Sequence, residues 1–258
     1  MRTKEAWTPV GGRPSFAQVA KELDYAQKPG DGVPAYSRWV NRRAARVFAA
    51  AAVSMGVGPN AVTLISACLS VGGLLLLVAF PASWGTGFAA AVLLALGYVM
   101  DSADGQVARA TGTGSPAGEW LDHVIDAVRT PALHVAVFFG FQRWFDLEPA
   151  LRYLPLAFAL LAVGHFTSQI LAEQLSRHHT LRTTNAQSGH LEPAAQQKGV
   201  LWSLMILPID TGIMCWIFIF WGSPAPFLAS YVILFVFGIV FAAVSARRKY
   251  VHLKGLGK

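Results

Sequence analysis

Residues 84–141 read WGTGFAAAVLLALGYVMDSADGQVARATGTGSPAGEWLDHVIDAVRTPALHVAVFFGF. Two apolar runs, near 84–108 and 119–141, flank the short turn TGTGSP. A helix needs about 20 apolar residues to cross the hydrocarbon core of a bilayer, and both runs are long enough. Ser115 followed by Pro116 supplies a cap and a first helical residue for the second one. The stretch therefore reads as a membrane helical hairpin. Asp101 and Asp104 stand at the end of one helix, and Asp122 and Asp126 at the start of the next.

The rest of the chain follows the same pattern. Of its 258 residues 54% are hydrophobic and 14% charged, and the mean hydropathy is +0.44. A soluble domain carries about 25% charge, so the composition points to an integral membrane protein. Further apolar runs near 61–80, 151–176, 199–221 and 226–246 bring the expected total to about six transmembrane helices. Residues 35–55 place Tyr36, Trp39, Val40, Ala44, Val47 and Ala51 on one helical face, with Arg38, Arg42 and Arg46 opposite. That is the pattern of an interfacial amphipathic helix, with Trp at headgroup depth and Arg toward phosphates. Arg43 falls on the apolar face and must snorkel or bind a partner.

These readings divide the chain into a polar, Gly- and Pro-rich tail over 1–34, read as a loop or a loosely ordered tail, the interfacial helix over 35–55, a six-helix domain over 56–246 and a basic tail over 247–258. Lys and Arg concentrate in the N-terminal region, around Arg177, Arg182 and Lys198, and in the C-terminal tail. By the positive-inside rule both termini and the aspartate turn face the cytoplasm. The net charge of +7 fits that rule and attraction to anionic lipid. With no nucleic-acid-binding motif, nucleic acid is not expected as a partner. No secretory signal is visible, because the opening MRTKEAWTPVGGRPSF lacks an apolar run. Cys68 and Cys215 fall in apolar runs and suggest no disulfide framework.

Asp101 and Asp104 share one helical face, and so do Asp122 and Asp126. Four carboxylates brought together by adjacent helices repel one another, and acids within spans are rare and usually functional. A divalent cation resolves the conflict. Oxygen-only ligands select hard ions such as Mg²⁺, Mn²⁺ or Ca²⁺, and two bridged ions would face a diphosphate. Gly105 and Gly118 let a ligand approach the backbone, Ala108 leaves room, and Arg109 offers a planar phosphate donor.

The residues spell D-x2-D-G-x2-A-R-x8-G-x3-D-x3-D from Asp101 to Asp126, with no departure at a fixed position. This resembles the signature of the CDP-alcohol phosphotransferase family, and the hydropathy over roughly 36–246 is similar as well. The resemblance implies a metal-dependent enzyme of phospholipid biosynthesis, using Mg²⁺ or Mn²⁺ as two ions. It would take a CDP-linked alcohol, CDP-diacylglycerol above all, and an acceptor hydroxyl, and release CMP. It also implies a homodimer, and the reading places the protein in a bacterial inner membrane with its site facing the cytoplasm. Asp101, Asp104, Asp122 and Asp126 would hold metal, with Asp126 also the usual candidate base. Asp104, Gly105, Ala108, Arg109 and Gly118 would contact the cytidine diphosphate. A carboxylate beside two cations is a weak base, which suits Asp126 better as ligand. Pro59-Asn60-Ala61-Val62-Thr63 resembles the family's P-N-x-x-T, which implies Asn60 and Thr63 near the nucleotide.

Ser115 to His123, S-P-x-G-E-x-x-D-H, resembles the choline/ethanolamine phosphotransferase branch, where Glu119 and His123 would be candidates to activate the acceptor. The acceptor itself is unassigned. Phosphorylated acceptors need extra cations, for which Arg177, His178, His179, Arg182 and Lys198 are available. Glu173 and Asp210 are further polar points within spans, and His134 and His165 read as interhelical groups. The competing class is an ion-coupled transporter. There carboxylates sit near the midplane on broken helices of repeated halves; here they crowd at one interface beside glycine and arginine. The intact motif also argues against a catalytically silent homologue.

Overall fold

A computed structural model describes residues 15–25, 32–184 and 199–256, all of them helical or in short connections. Lys198 and most of the N-terminal tail lie outside the described residues. Within that tail, however, Phe16–Tyr25 forms a helix, α1. The loop expected over 1–34 therefore does not hold there. Ser15 and Gln18 make a reciprocal capping box, with the Ser15 N–H donating to Gln18 Oε1 at 3.0 Å and the Gln18 N–H to Ser15 Oγ at 3.4 Å. Val19 and Leu23, four apart, are buried.

The interfacial segment opens with a π-helical turn, Ser37–Asn41, and continues as α2, Arg42–Met55. Ala45, Ala49, Ala50, Ala52 and Val53 are buried, whereas Val40 and Val47 are exposed. Small side chains let α2 lie close against its neighbours, and the larger apolar face is left outward. Arg43 is exposed.

Among the described residues, five helices are long and apolar enough to cross a membrane. These are α3 (Pro59–Ala79), α4 (Trp84–Thr111), α5 (Pro116–Trp144), α7 (Leu154–Thr184), which follows the single turn α6 (Pro149–Arg152), and α10 (Pro224–Leu256). The basic segment expected as a separate tail continues α10 as helix through Leu256.

The run over 199–221, expected as one helix, is in pieces. These are α8 (Val200–Met205), a 3₁₀ turn Leu207–Ile209, α9 (Thr211–Trp216) and a 3₁₀ stretch Ile217–Gly222. Pro208 lacks an N–H and disfavours helix before it. Asp210 then caps α9, accepting the Gly212 N–H at 2.9 Å, and its other oxygen accepts the Ser37 N–H at 2.8 Å.

Among the described residues two cores hold the bundle. One surrounds Trp221, fully buried among Phe141, Phe145, Phe218 and Phe227. Gly140 gives its indole room, since a Cβ there would overlap the ring. The second core lies at the carboxylate end. There Val19 and Leu23 of α1 and Ala45 and Ala49 of α2 pack with Val99, Ala103 and Val107 of α4. It clamps the interfacial layer onto the part of α4 that carries the aspartates.

Candidate active site

Helix α3 packs against both α4 and α5 and so fixes the two aspartate-bearing helices relative to one another. Helix α4 ends at Gly112, whose φ of 66° suits a residue without Cβ. Ser115 then caps α5, accepting the Gly118 N–H at 3.1 Å, with Pro116 at the first position. The cap predicted from sequence is therefore present, and it fixes where Asp122 and Asp126 leave the helix.

Asp101, Asp122 and Asp126 converge. Each offers a carboxylate oxygen, and these oxygens all lie within 4.8 Å of one another. Asp104 stands apart from this group. It is buried, its Oδ2 accepts the Thr63 hydroxyl at 2.6 Å, and its Oδ1 accepts the Gly105 N–H at 2.5 Å. Thr63 also reaches Pro59 O at 3.1 Å, so its single proton is shared between two acceptors.

The other motif residues surround this centre. Asn60 Oδ1 lies 3.2 Å from where a Cβ on Gly118 would stand, which brings the start of α3 to the start of α5. Arg109 folds its guanidinium over Gly105, 3.3 Å from where that residue's Cβ would be. Ala108 is half-buried one residue before it. Arg42 of α2 joins this side: its carbonyl accepts the Gln106 amide at 3.3 Å. Burial pulls its guanidinium down from the usual range, and Arg38 adds to the effect.

Glu119 and His123 lie at the rim. His123 Nε2 is 3.8 Å from Glu119 Oε1, and its Nδ1 is 4.0 Å from Asp122 Oδ2. Arg177 of α7 binds Glu119 and Glu173 at 2.7 Å each. Of the proposed acceptor cations, Arg177 is thereby tied to Glu119 inside the motif stretch. His178 and Arg182 are exposed and His179 half-buried on the same end of α7. His134 is an interhelical group, hydrogen-bonded to Tyr231 Oη at 2.6 Å and stacked on Phe158. His165 packs edge-on against Phe241.

Sequence reasoning missed Arg129. Its Nη2 lies 2.8 Å from Asp101 Oδ1 and pairs closely with Asp126 Oδ1, and its Nη1 donates to Ser66 Oγ at 3.2 Å. The available signal was its spacing, three residues after Asp126 on the same helix. A cavity of about 410 Å³ is lined by Asp101, Asp126 and Arg129 together with apolar groups such as Leu133, Phe158, Leu161 and Phe241.

This donor set suits a hard divalent ion. All three converging ligands are carboxylate oxygens. Asp101 Oδ1 is buried, with Arg129 Nη2 2.8 Å away as its counter-charge, and a carboxylate oxygen keeps a second lone pair for a cation beside that contact.

The sequence matches the CDP-alcohol phosphatidyltransferase family over residues 57–246. The chain belongs to that family. Among curated relatives, it is 37% identical over 99 residues to a phosphatidylinositol phosphate synthase of Corynebacterium glutamicum. The match covers 38% of this chain and 43% of the relative. It is 36% identical over 91 residues to an uncharacterised class-I member of the family from Schizosaccharomyces pombe, covering 30% of this chain and 22% of that protein. The chain thus spans less than half the length of the curated relatives it matches. The family match begins at residue 57, so α1 and α2 lie outside it.

Proposed function

We propose that this chain is a CDP-alcohol phosphotransferase that moves a phosphoalcohol group, a phosphatidyl group in the first instance, from a CDP-linked donor to an acceptor hydroxyl. In this reaction a bond forms between the acceptor oxygen and the phosphorus carrying the alcohol. The bond from that phosphorus to CMP breaks, and CMP leaves with the electron pair. The observation that carries the reading is the meeting of Asp101, Asp122 and Asp126 from two helices within 4.8 Å, inside an unbroken family motif.

Asp101, Asp122 and Asp126 would hold Mg²⁺ or Mn²⁺, with Asp104 beside them for a second ion. Bound there, such ions neutralise charge on the phosphoryl oxygens and on departing CMP. Asn60, Thr63, Gly105, Ala108, Arg109 and Gly118 would bind and orient the cytidine diphosphate. The apolar lining of the adjacent cavity suits a donor with a lipid chain, CDP-diacylglycerol. Asp126 is already engaged by Arg129, so the acceptor proton passes to His123, held near Glu119. Its ring nitrogen can take up that proton and pass it on to solvent. The site faces the cytoplasm of a bacterial inner membrane, and the working unit is a homodimer.

The test is CMP release by the purified protein from CDP-diacylglycerol, with inositol phosphate, glycerol phosphate, serine, inositol and diacylglycerol offered as acceptors. Release should require Mg²⁺ or Mn²⁺, stop on chelation and return on metal addition. Asp122→Asn should abolish it while leaving the melting temperature near the parent's. Ion flux without CMP release from any donor would refute the reading.

A further inference from the structure

Arg129 lies outside the family motif, three residues beyond its last fixed aspartate. Its side chain is only 16% exposed. It links three helices: Asp101 on α4, Asp126 on its own α5, and Ser66 on α3. Ser66 is fully buried and is itself anchored, donating to Gly97 O at 2.8 Å. The guanidinium is therefore held in place and does not merely drift over an acidic surface.

Carboxylates within 4.8 Å of one another repel strongly in a partly dehydrated site. A buried charge without a partner is far more costly than a paired one. Arg129 supplies one positive charge to the pair of acids that bridges the two helices. The oxygens it takes, Asp101 Oδ1 and Asp126 Oδ1, belong to two of the three acids that converge. A fixed cation and a divalent ion would thus draw on the same acids.

We propose that Arg129 is the built-in counter-cation of the metal centre: it holds Asp101 and Asp126 together when no divalent ion is bound and competes with the ion for their oxygens. It is a positioning residue, and this inference rests on reading the carboxylates as metal ligands. Its consequence is a centre that stays assembled without metal and binds metal less tightly than its bare charge would dictate, so that ions exchange.

The experiment compares the parent with Arg129→Gln and Arg129→Lys in detergent. Mn²⁺ binding is followed by electron paramagnetic resonance, and melting is measured in chelator and in saturating Mn²⁺. Arg129→Gln should bind Mn²⁺ about tenfold more tightly, because it removes a unit positive charge a few ångströms from the ion and frees the carboxylate oxygens that charge occupied. It should melt lower than the parent in chelator and recover in Mn²⁺. Arg129→Lys, which keeps the charge and loses the fork, should fall between. If Arg129→Gln survives only when purified with Mn²⁺ and unfolds on chelation, that is the same result in stronger form. Unchanged or weaker Mn²⁺ affinity, an equal melting loss with and without Mn²⁺, or failure to fold even with Mn²⁺ would each overturn the proposal. A parent protein that binds no Mn²⁺ would instead overturn the metal reading itself.

Discussion

Replacing Thr63 by Val isolates one hydrogen bond at the donor side of the site. The two side chains have nearly the same shape, so the change deletes a hydroxyl and little volume. In the structure that hydroxyl lies 2.6 Å from Asp104 Oδ2, and both residues are buried. A hydrogen bond to a charged group contributes about 1.5–3 kcal/mol, which at ~1.4 kcal/mol per tenfold is about 10- to 150-fold. The hydroxyl also has Pro59 O as an alternative acceptor at 3.1 Å, so the lower part of that range, about 10- to 30-fold, is expected. The loss should appear in kcat/KM for the CDP-linked donor, measured as CMP release across a donor titration with the acceptor fixed. Thr63→Ser keeps the hydroxyl and should restore most of the activity. Melting curves run alongside separate a damaged site from a damaged fold. A Thr63→Val enzyme within threefold of the parent would refute the role of this bond, and equal impairment of Thr63→Ser would assign the effect to packing.

Asp210→Ala strands two buried amides, those of Ser37 and Gly212, now accepted at 2.8 and 2.9 Å. At about 1–2 kcal/mol for each, the melting temperature should fall by roughly 5–15 °C, and a shift under 2 °C would contradict the assigned contacts. Arg177→Gln removes a pair whose members are 51% and 43% exposed. Its stability cost should stay below about 1 kcal/mol, so a melting shift beyond roughly 4 °C would show that the clamp between α5 and α7 holds more than surface charge.

How much of this was legible in the sequence depended on which signal each feature carries. The α4–α5 hairpin announced itself through unbroken hydropathy and a Ser-Pro cap, and the structure keeps both. Helix α1 was hidden because its capping box, Ser15 to Gln18, and its buried Val19 and Leu23 sit inside a Gly- and Pro-rich stretch whose average polarity outweighs them. The break at Leu207–Asp210 was hidden for the opposite reason. A hydropathy window sums over 199–221 and does not register that Pro208 and Asp210 stop a helix and start another. The interfacial helix was read by its large residues, of which the structure leaves Val40 and Val47 outward; the close packing of its alanines on the other side carries no hydropathy signal. At the site, spacing placed four aspartates on facing helices but could not show that Thr63 draws Asp104 aside. Nor did the motif draw attention to Arg129, since hydrogen-bond partners across helices are set by packing and not by register along one.

The broken segment bears on how the carboxylates are to be understood. Discontinuous membrane helices with a buried acid are how ion-coupled transporters build a site, with helix ends and unwound carbonyls coordinating the ion in two related halves. Asp210 occupies such a break, is buried and lines the cavity shared with Asp101 and Asp126. Yet each of its oxygens accepts a backbone N–H, one from its own helix start and one from the interfacial segment. Both bonds are to backbone amides, so this carboxylate serves as a helix cap and an anchor for the interfacial segment. The five long described helices run without a matching interruption, so among the described residues no second half repeats the arrangement. What the break does is turn the chain back against Ser37, whose hydroxyl meets Tyr98 Oη at 2.5 Å, while Asn41 holds Ser102 Oγ at the same distance. Tyr98 and Ser102 bracket Asp101 on α4. The interruption thus fixes the rotation of the helix that presents the first aspartate, and so serves the carboxylate centre instead of forming a second one.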